Sequence, residues 1–340
     1  MTWHMPAEGV AQDKVWMAYP VSGYSLGDTE AEQDEARATW AAVAHSIADF
    51  EPVTVIVDPG EVTAARKYLS SDIEIVEAPL NDAWARDIGP TFVVDDQGRL
   101  GAVNWVFNGW GAASWSQWDK DEKIATLIAE LCGAELIQSP MINEGGGIQV
   151  DGAGTVLVTD TVQLGEGRNS DWSRAQVEAE LARTIGTTQT VWLPYGLTRD
   201  NEEFGTRGHV DIVAALPSPG VMLLHAQNDS AHPDFEVSGN LKALLAEQVD
   251  AAGNAFEIID VPAPTVLRDD EGFVDYSYIN HLVINEAVIA CSYGDPNDDV
   301  AVGILADAYP GREVRTVDAR PLFARGGGIH CITCQQPSVG

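Results

Sequence analysis

Short runs rich in β-branched residues alternate along this chain with longer stretches whose apolar positions recur every three or four residues. Val53-Thr-Val-Ile-Val57, Ile73-Glu-Ile-Val76, Val221-Met-Leu-Leu224, Phe256-Glu-Ile-Ile259 and Val288-Ile-Ala-Cys291 read as strands, because such side chains suit a pleated, half-buried surface. Residues 29–50, 120–131, 173–185, 239–252 and 300–309 read as amphipathic helices, several opened by an Asp or Ser fit to cap them. This alternation is that of an α/β protein.

A longer period lies over it. A unit of strand, proline, irregular loop and second strand recurs five times, starting at residues 73, 137, 191, 258 and 314. The second halves are Asp87-Ile-Gly-Pro-Thr-Phe-Val-Val94, Glu144-Gly-Gly-Gly-Ile-Gln-Val150, Arg207-Gly-His-Val-Asp-Ile-Val213, Asn280-His-Leu-Val-Ile284 and Arg325-Gly-Gly-Gly-Ile-His-Cys331. Units of roughly 60 residues, each with strands and a helix, can close around a pseudo-fivefold axis with their loops converging at the centre. The expected fold is therefore a five-bladed α/β propeller of ββαβ-like units, one catalytic domain over residues 1–340. A doubly wound sheet accommodates the same alternation and is the competing architecture.

The converging loops hold the candidate chemistry. They are Trp84-Ala-Arg-Asp87, Asn143-Glu144-Gly-Gly-Gly, Gly208-His209-Val-Asp211 and Gly326-Gly-Gly328-Ile-His330-Cys331. Each expected strand entry carries a polar group where a buried strand would carry Val or Ile. The glycine runs, Gly328 included, let the backbone approach a ligand or simply make a turn. Cys331 and His209 suggest a thiolate nucleophile with an imidazole that moves protons. His330 neighbours Cys331, but adjacent residues of a strand face opposite sides, so His209 is the better partner. Asp87, Glu144 and Asp211 around one thiol would oppose its ionisation unless the substrate is a cation. A guanidinium meets that requirement: it is planar, matches carboxylates bidentately and has an electrophilic carbon. Trp84 fits either the core or a flat wall of the pocket. Arg86 and Arg325 read as structural ion-pair formers.

Other chemistries find less support. Neither glycine triplet is a phosphate loop. Cys331-Ile-Thr-Cys334 is a C-x-x-C that leads to the chain end instead of opening a helix, and no second Cys pair or H-E-x-x-H signals zinc. No cofactor or metal is expected. The 52 acidic residues against 19 Lys plus Arg give a formal charge of −33. Nucleic acids and anionic membrane surfaces are thereby poor partners, and cationic small molecules remain attractive ones. The acidity equally serves solubility. Four cysteines, no signal-peptide pattern at the start and no long apolar run read as a soluble, cytoplasmic protein. The sequence specifies no oligomeric state, and a homo-oligomer is compatible with it.

At these residues the chain resembles the agmatine deiminase family of the guanidino-group-modifying (pentein) superfamily, which includes bacterial peptidyl-arginine deiminases. The likeness runs through Met5-Pro-Ala-Glu8, Trp16-Met-Ala-Tyr-Pro20, Asn81-Asp-Ala-Trp84-Ala-Arg-Asp87-Ile-Gly-Pro90, Asn143-Glu144-Gly-Gly-Gly, Gly208-His209-Val-Asp211, Gly294-Asp-Pro296 and Gly326-Gly-Gly-Ile-His-Cys331-Ile-Thr. The resemblance implies a five-bladed α/β propeller and cofactor-free hydrolysis of agmatine to N-carbamoylputrescine and ammonia. It makes Cys331 the nucleophile, His209 the general acid and base, Asp87 and Asp211 the grip on the guanidinium, and Glu144 a further substrate-facing acid. Four departures bear on the substrate. Gly205-Thr206-Arg207 stands where family members acting on agmatine usually have Asp-Thr-Asn or Asp-Thr-Asp, and Gly9 where they usually have an aromatic. Leu164-Gly-Glu-Gly-Arg-Asn169 stands for Asn-Pro-Asn-Arg-Asn, and Cys334 for Gln. Arg207 facing the pocket would repel an amine and suit arginine, a guanidino acid or peptidyl arginine; facing outward it would do nothing. Amidino transfer and non-catalytic binding of guanidino ligands are the remaining readings.

Overall fold

The computed structural model describes residues 2–21, 23 and 25–339. In chain order its strands are β1 (Trp3–His4), β2 (Gln12–Ala18), β3 (Val53–Val57), β4 (Glu74–Glu77), β5 (Thr91–Asp95), β6 (Leu100–Val106), β7 (Glu135–Ile142), β8 (Gln149–Val150), β9 (Thr155–Thr159), β10 (Gln189–Leu193), β11 (Ala214–Ser218), β12 (Val221–Ala226), β13 (Glu257–Pro262), β14 (Leu282–Val283), β15 (Ala287–Ser292), β16 (Glu313–Asp318) and β17 (Thr333–Pro337). Among the described residues they form five sheets: β17-β2-β3-β4, β1-β5-β6-β7, β8-β9-β10, β11-β12-β13 and β14-β15-β16. The same connection is made five times, as an antiparallel pair followed by a parallel third strand. A parallel neighbour needs a crossover, and a helix supplies it each time: Glu30–Ala48, Ile124–Cys132, Arg174–Ile185, Asp234–Leu245 and Asp298–Ala308. The last strand, β17, pairs with β2, so the two ends of the chain share a sheet.

Burial follows position in the sheet. The inner strands β3 and β9 are buried at every residue, as expected of strands covered on both faces. The edge strands β4, β13 and β16 are half exposed. The helix Glu30–Ala48 turns Ala36, Trp40, Val43, Ala44 and Ile47 inward at three- and four-residue spacing, and Thr29 and Glu32 close its N-terminus in a capping box. No helix among the described residues is long and apolar enough to cross a membrane.

The repeat seen in the sequence is offset from the sheets. Its first strands are the outer strands β4, β7, β10, β13 and β16, and its second strands open the next sheet as β5, β8, β11, β14 and β17. Each unit therefore bridges two sheets, and its irregular loop is the crossing between them. Those second strands also start later than expected. Asp87 lies in the helical turn Ala85–Ile88, the first glycine triplet forms the turn Gly145–Gly147, Asp211 lies in the turn Val210–Ile212, and His330 and Cys331 precede β17 in a turn. The candidate site residues thus sit on turns that carry the chain from sheet to sheet.

One helix is displaced as well. The stretch expected over residues 239–252 begins at Asp234, behind Pro233, whose fixed φ suits a helix start. It ends at Leu245, because Asp250 accepts from the amides of Ala252 and Asn254 and turns the chain.

The Thr29 cap gives a direct check of this account. Thr29→Ala is expected to lower stability by about 1 kcal/mol, measured by urea unfolding, with folded structure retained; no loss would show that the helix is held by packing alone.

Candidate active site

Each of the five crossings delivers at least one polar side chain: Asp87, Glu144, His209 with Asp211, Asn280, and His330 with Cys331. Hydrogen bonds and close polar contacts tie them together. Asp87 accepts from the Gly146 amide at 3.0 Å through Oδ1 and from Trp110 Nε1 at 2.8 Å through Oδ2. Trp110 holds a left-handed backbone, φ 56°, in a turn where Asn108 Oδ1 accepts from the Gly111 amide. Such a conformation costs a bulky residue on the order of 1–3 kcal/mol and persists only where its surroundings fix it. The Trp110 ring stacks on Trp115 at 5.3 Å, and Trp115 lies against the exposed Phe204.

Glu144 is completely buried and both its oxygens accept from Arg168 Nε, at 2.9 and 3.0 Å. Its Oε2 also lies 3.4 Å from His209 Nε2. Expected to face a substrate, Glu144 instead spends its oxygens on these two cations. Arg168 was not singled out by the sequence reading, although Arg168-Asn169 keeps the last two residues of the family pattern in an otherwise divergent loop. Its Nη2 donates to the Thr206 carbonyl at 2.8 Å, which links Glu144 to the His209 loop.

That loop is organised by Asp200, a buried residue the sequence did not flag. Its carboxylate accepts from the amides of Thr206, Gly208 and His209 and from the Thr206 hydroxyl. The Arg207 amide donates to the Asp200 carbonyl at 2.9 Å. Gly205 packs on the Asp200 backbone, where a Cβ would overlap the carbonyl, so no carboxylate side chain fits at this position without moving the loop. Arg207, read as facing either the pocket or outward, is exposed and turns outward, its Nη1 3.4 Å from the Asn201 carbonyl. Of the two orientations open to Arg207, this is the outward one.

His209 is buried with Asp87 3.9 Å from Nδ1. Burial alone would lower the imidazole pKa, but Asp87, the bond to Glu144 and Asp211 outweigh it and raise it to about 9. Burial raises the Asp87 carboxyl, and Glu144 and Asp211 add to this against His209. Glu144 is held low despite its burial by Arg168 and His209, and Asp211 by His330 and His209.

Cys331 is 8% exposed. Its Sγ lies 3.2 Å from Asn280 Nδ2 and 3.5 Å from Asp211 Oδ2. Burial, Asp211 and Asp87 push the thiol well above its usual range, so the resting site pairs a neutral thiol with an imidazolium. No hydrogen bond joins Cys331 directly to His209 among those of the described residues; the two are connected through Asp87, Glu144 and Asp211. His330, set aside on strand alternation, lies in a turn, where that alternation does not apply, and bonds Asp211 at 2.8 Å. Asn280 was also missed, although it opens the fourth repeat unit in the place where the others carry Asp87, Glu144 and the His209 segment.

The glycines are set by proximity. A Cβ on Gly146 would lie 2.5 Å from His209 Nδ1 and 3.1 Å from Asp211 Oδ2. On Gly328 it would meet Asn280 Oδ1 at 2.5 Å, so Gly328 admits the residue that touches the thiol. Trp84 takes the core alternative: it is buried edge-to-face with Trp40 at 5.9 Å and abuts Gly327. All four cysteines, Cys334 included, are free thiols. No cluster of metal-ligating type occurs among the described residues.

The model of the Porphyromonas-type peptidyl-arginine deiminase family matches residues 4–337. A Streptomyces coelicolor relative is 53% identical over 338 residues, covering 99% of both chains. The agmatine deiminase of Stutzerimonas stutzeri is 36% identical over 359 residues, covering 99% of this chain and 96% of its own. Among solved structures, the agmatine deiminase of Enterococcus faecalis superposes with a TM-score of 0.91 at 31% identity, over 99% of this chain and 96% of that one.

Two outcomes follow from the geometry. Gly146→Ala pushes a methyl onto His209 and Asp211 and is expected to lower kcat/KM by about a hundredfold with the circular dichroism spectrum unchanged; normal kinetics would mean the cluster has slack. His209 has a raised folded pKa, so its charge contributes stability that is complete below the ordinary value of 6.5 and lost as pH rises through about 9. Thermal unfolding should therefore show wild type losing stability across that window and His209→Gln losing less, whereas equal slopes would exclude a charged resting imidazole.

Proposed function

The chain belongs to the Porphyromonas-type peptidyl-arginine deiminase family and is a hydrolase of guanidino C–N bonds, and on that premise we propose that it deiminates agmatine through a covalent intermediate on Cys331. The observation that carries the proposal is one buried thiol within 3.5 Å of Asp211, in a cluster that also holds Asp87 and a charged His209. Carboxylates that hinder thiolate formation in the empty site become the receptor for a planar cation, and the bound cation in turn favours the thiolate.

The steps then balance as follows. Cys331, which releases its proton to solvent as the cation binds, attacks the guanidinium carbon and forms a C–S bond, while the carbon's π bond to nitrogen becomes a lone pair. The imidazolium of His209 gives its proton to the departing nitrogen, the C–N bond breaks and ammonia leaves, with an amidino-thioether remaining. His209, now neutral, takes a proton from water as the water oxygen adds to the same carbon. The C–S bond breaks and the thiolate returns; the second proton of the attacking water passes to solvent, and the neutral ureido product, N-carbamoylputrescine, departs. Asp87 and Asp211 hold the guanidinium nitrogens, and Glu144 with Arg168 orients and charges His209.

Agmatine is favoured over carboxylate-bearing substrates by two findings. Arg207 turns outward, so it sets no cation against a distal amine. The relatives named as agmatine deiminases match this chain nearly end to end. Ammonia and ureido-product formation should be measured with agmatine, arginine, an arginine peptide and guanidino acids side by side. Agmatine is expected to be turned over best, and Cys331→Ala to be reduced to background. Turnover confined to carboxylate-bearing compounds would reject agmatine, activity in Cys331→Ala would reject the thiol mechanism, and product formed without ammonia would indicate transfer to an amine.

A further inference from the structure

His330 stands between two carboxylates from distant parts of the chain. Its Nδ1 is 2.8 Å from Asp211 Oδ2 and its Nε2 is 2.7 Å from Glu8 Oε1. An ionised carboxylate only accepts hydrogen bonds, so a ring serving both must donate from both nitrogens, which makes it an imidazolium. The backbone of His330 is fixed too: its amide donates to Asn280 Oδ1 at 3.0 Å, and its carbonyl accepts from Arg86 Nε at 3.3 Å. Asp211 is almost wholly buried. Its Oδ2 is shared between His330 and the Cys331 sulfur, while its Oδ1 has no partner among the described residues. A buried carboxylate oxygen left unpaired is costly unless a ligand completes it.

We propose that Glu8 and His330 form a positioning relay: the doubly bonded ring locks the Asp211 carboxylate in one orientation, with Oδ1 left to receive a guanidinium N–H and Oδ2 held beside Cys331. This deepens the deiminase reading and rests on it. Glu8 lies beyond the ring from Asp211, so it acts through His330. The relay has a second effect. Asp211 is a chief source of the repulsion that opposes thiolate formation, and an imidazolium bonded to the same oxygen offsets part of its charge where the thiolate must develop.

The groups facing the ring come from four places. Glu8 belongs to the N-terminal segment, Asp211 to the turn Val210–Ile212, Arg86 to the turn Ala85–Ile88, and His281 to the segment before β14. Burial and Arg86 favour the neutral ring, and the two carboxylates overcome them and raise its pKa. Glu8 is correspondingly lowered to about 2 against the cost of its burial. His281, lowered to about 4 by burial, is neutral and adds no charge near neutral pH. Replacing Glu8 by a neutral residue removes one of the two supports, so His330 loses its proton at a lower pH and Asp211 loses its charged partner there.

The test uses the full chain and two readouts. In Cys331→Ala protein, agmatine binding measured by calorimetry should weaken tenfold or more when Glu8→Gln is added, and Glu8→Asp should recover most of it. In the active enzyme, Glu8→Gln should raise KM more than it lowers kcat and should bring the alkaline fall of kcat/KM to lower pH; Glu8→Asp should restore the wild-type limb. Nitrogen-15 NMR, assigned with His330→Asn, should find both ring nitrogens of His330 protonated near neutral pH in wild type and not in Glu8→Gln. Unchanged affinity and pH profile with only a lower melting temperature would reduce the pair to a structural tie, and a singly protonated wild-type ring would overturn the relay. Wild-type protein that neither binds nor converts any guanidino compound would remove the functional reading itself, an outcome distinct from intact binding that Glu8→Gln leaves untouched.

Discussion

Ionised groups cannot leave water without a partner, and the centre of this molecule is arranged around that constraint. Glu144 is buried because Arg168 and His209 go with it, and Asp211 because His330 does. Asp87 is the carboxylate left with hydrogen-bond donors and only a distant cation, and it is the one whose pKa rises. Burial turns these pairings into an obligation: removing one member strands a charge in a low-dielectric interior, at a cost of roughly 3–5 kcal/mol. The same arrangement, with burial, opposes ionisation of the Cys331 thiol. Stability and reactivity therefore rest on one set of contacts.

The sheets make that set attainable. Repeating an antiparallel pair and a helical crossover five times produces five crossings, and each contributes at least one side chain to the cluster. Crossings can approach one another this closely only where backbone has no Cβ, which accounts for the Gly-Gly-Gly runs better than turn geometry does: Gly146 lies against His209 and Asp211, and Gly328 against Asn280. Asp200 adds the remaining precision by gathering the amides that shape the His209 loop.

Much of this was legible in the sequence because it was written in repetition. The strands at Val53 and Val221, the helix that buries Trp40, and the five units were readable from spacing, and Cys331, His209, Asp87, Asp211 and Glu144 from their places within the units. Asn280 could have been found by taking the repeat at its word, since it occupies the fourth crossing. Other contacts left no local trace. Arg168 reaches Glu144 across 24 positions and Glu8 reaches His330 across 322, and neither separation corresponds to a helical or strand period. His330 was set aside by applying strand alternation to residues that lie in a turn. The outward side chain of Arg207 depends on the Asp200 hub, which is visible only once the loop is folded.

The pairing of β17 with β2 has a consequence for how the protein is made. A ribosome releases the N-terminal segment long before it has synthesised the residues near 330, so β2 and Glu8 emerge without the partners they will need. The edge of β2 that β17 will cover stays open during that interval, a template for another chain. Contacts of such sequence separation also form slowly, because a long loop must close before they return any energy. Cys331 follows every other member of its cluster along the chain. A chain still short of residue 331 therefore holds Asp87, Glu144 and Asp211 without the thiol they surround, and the cluster is complete only once that residue has been made.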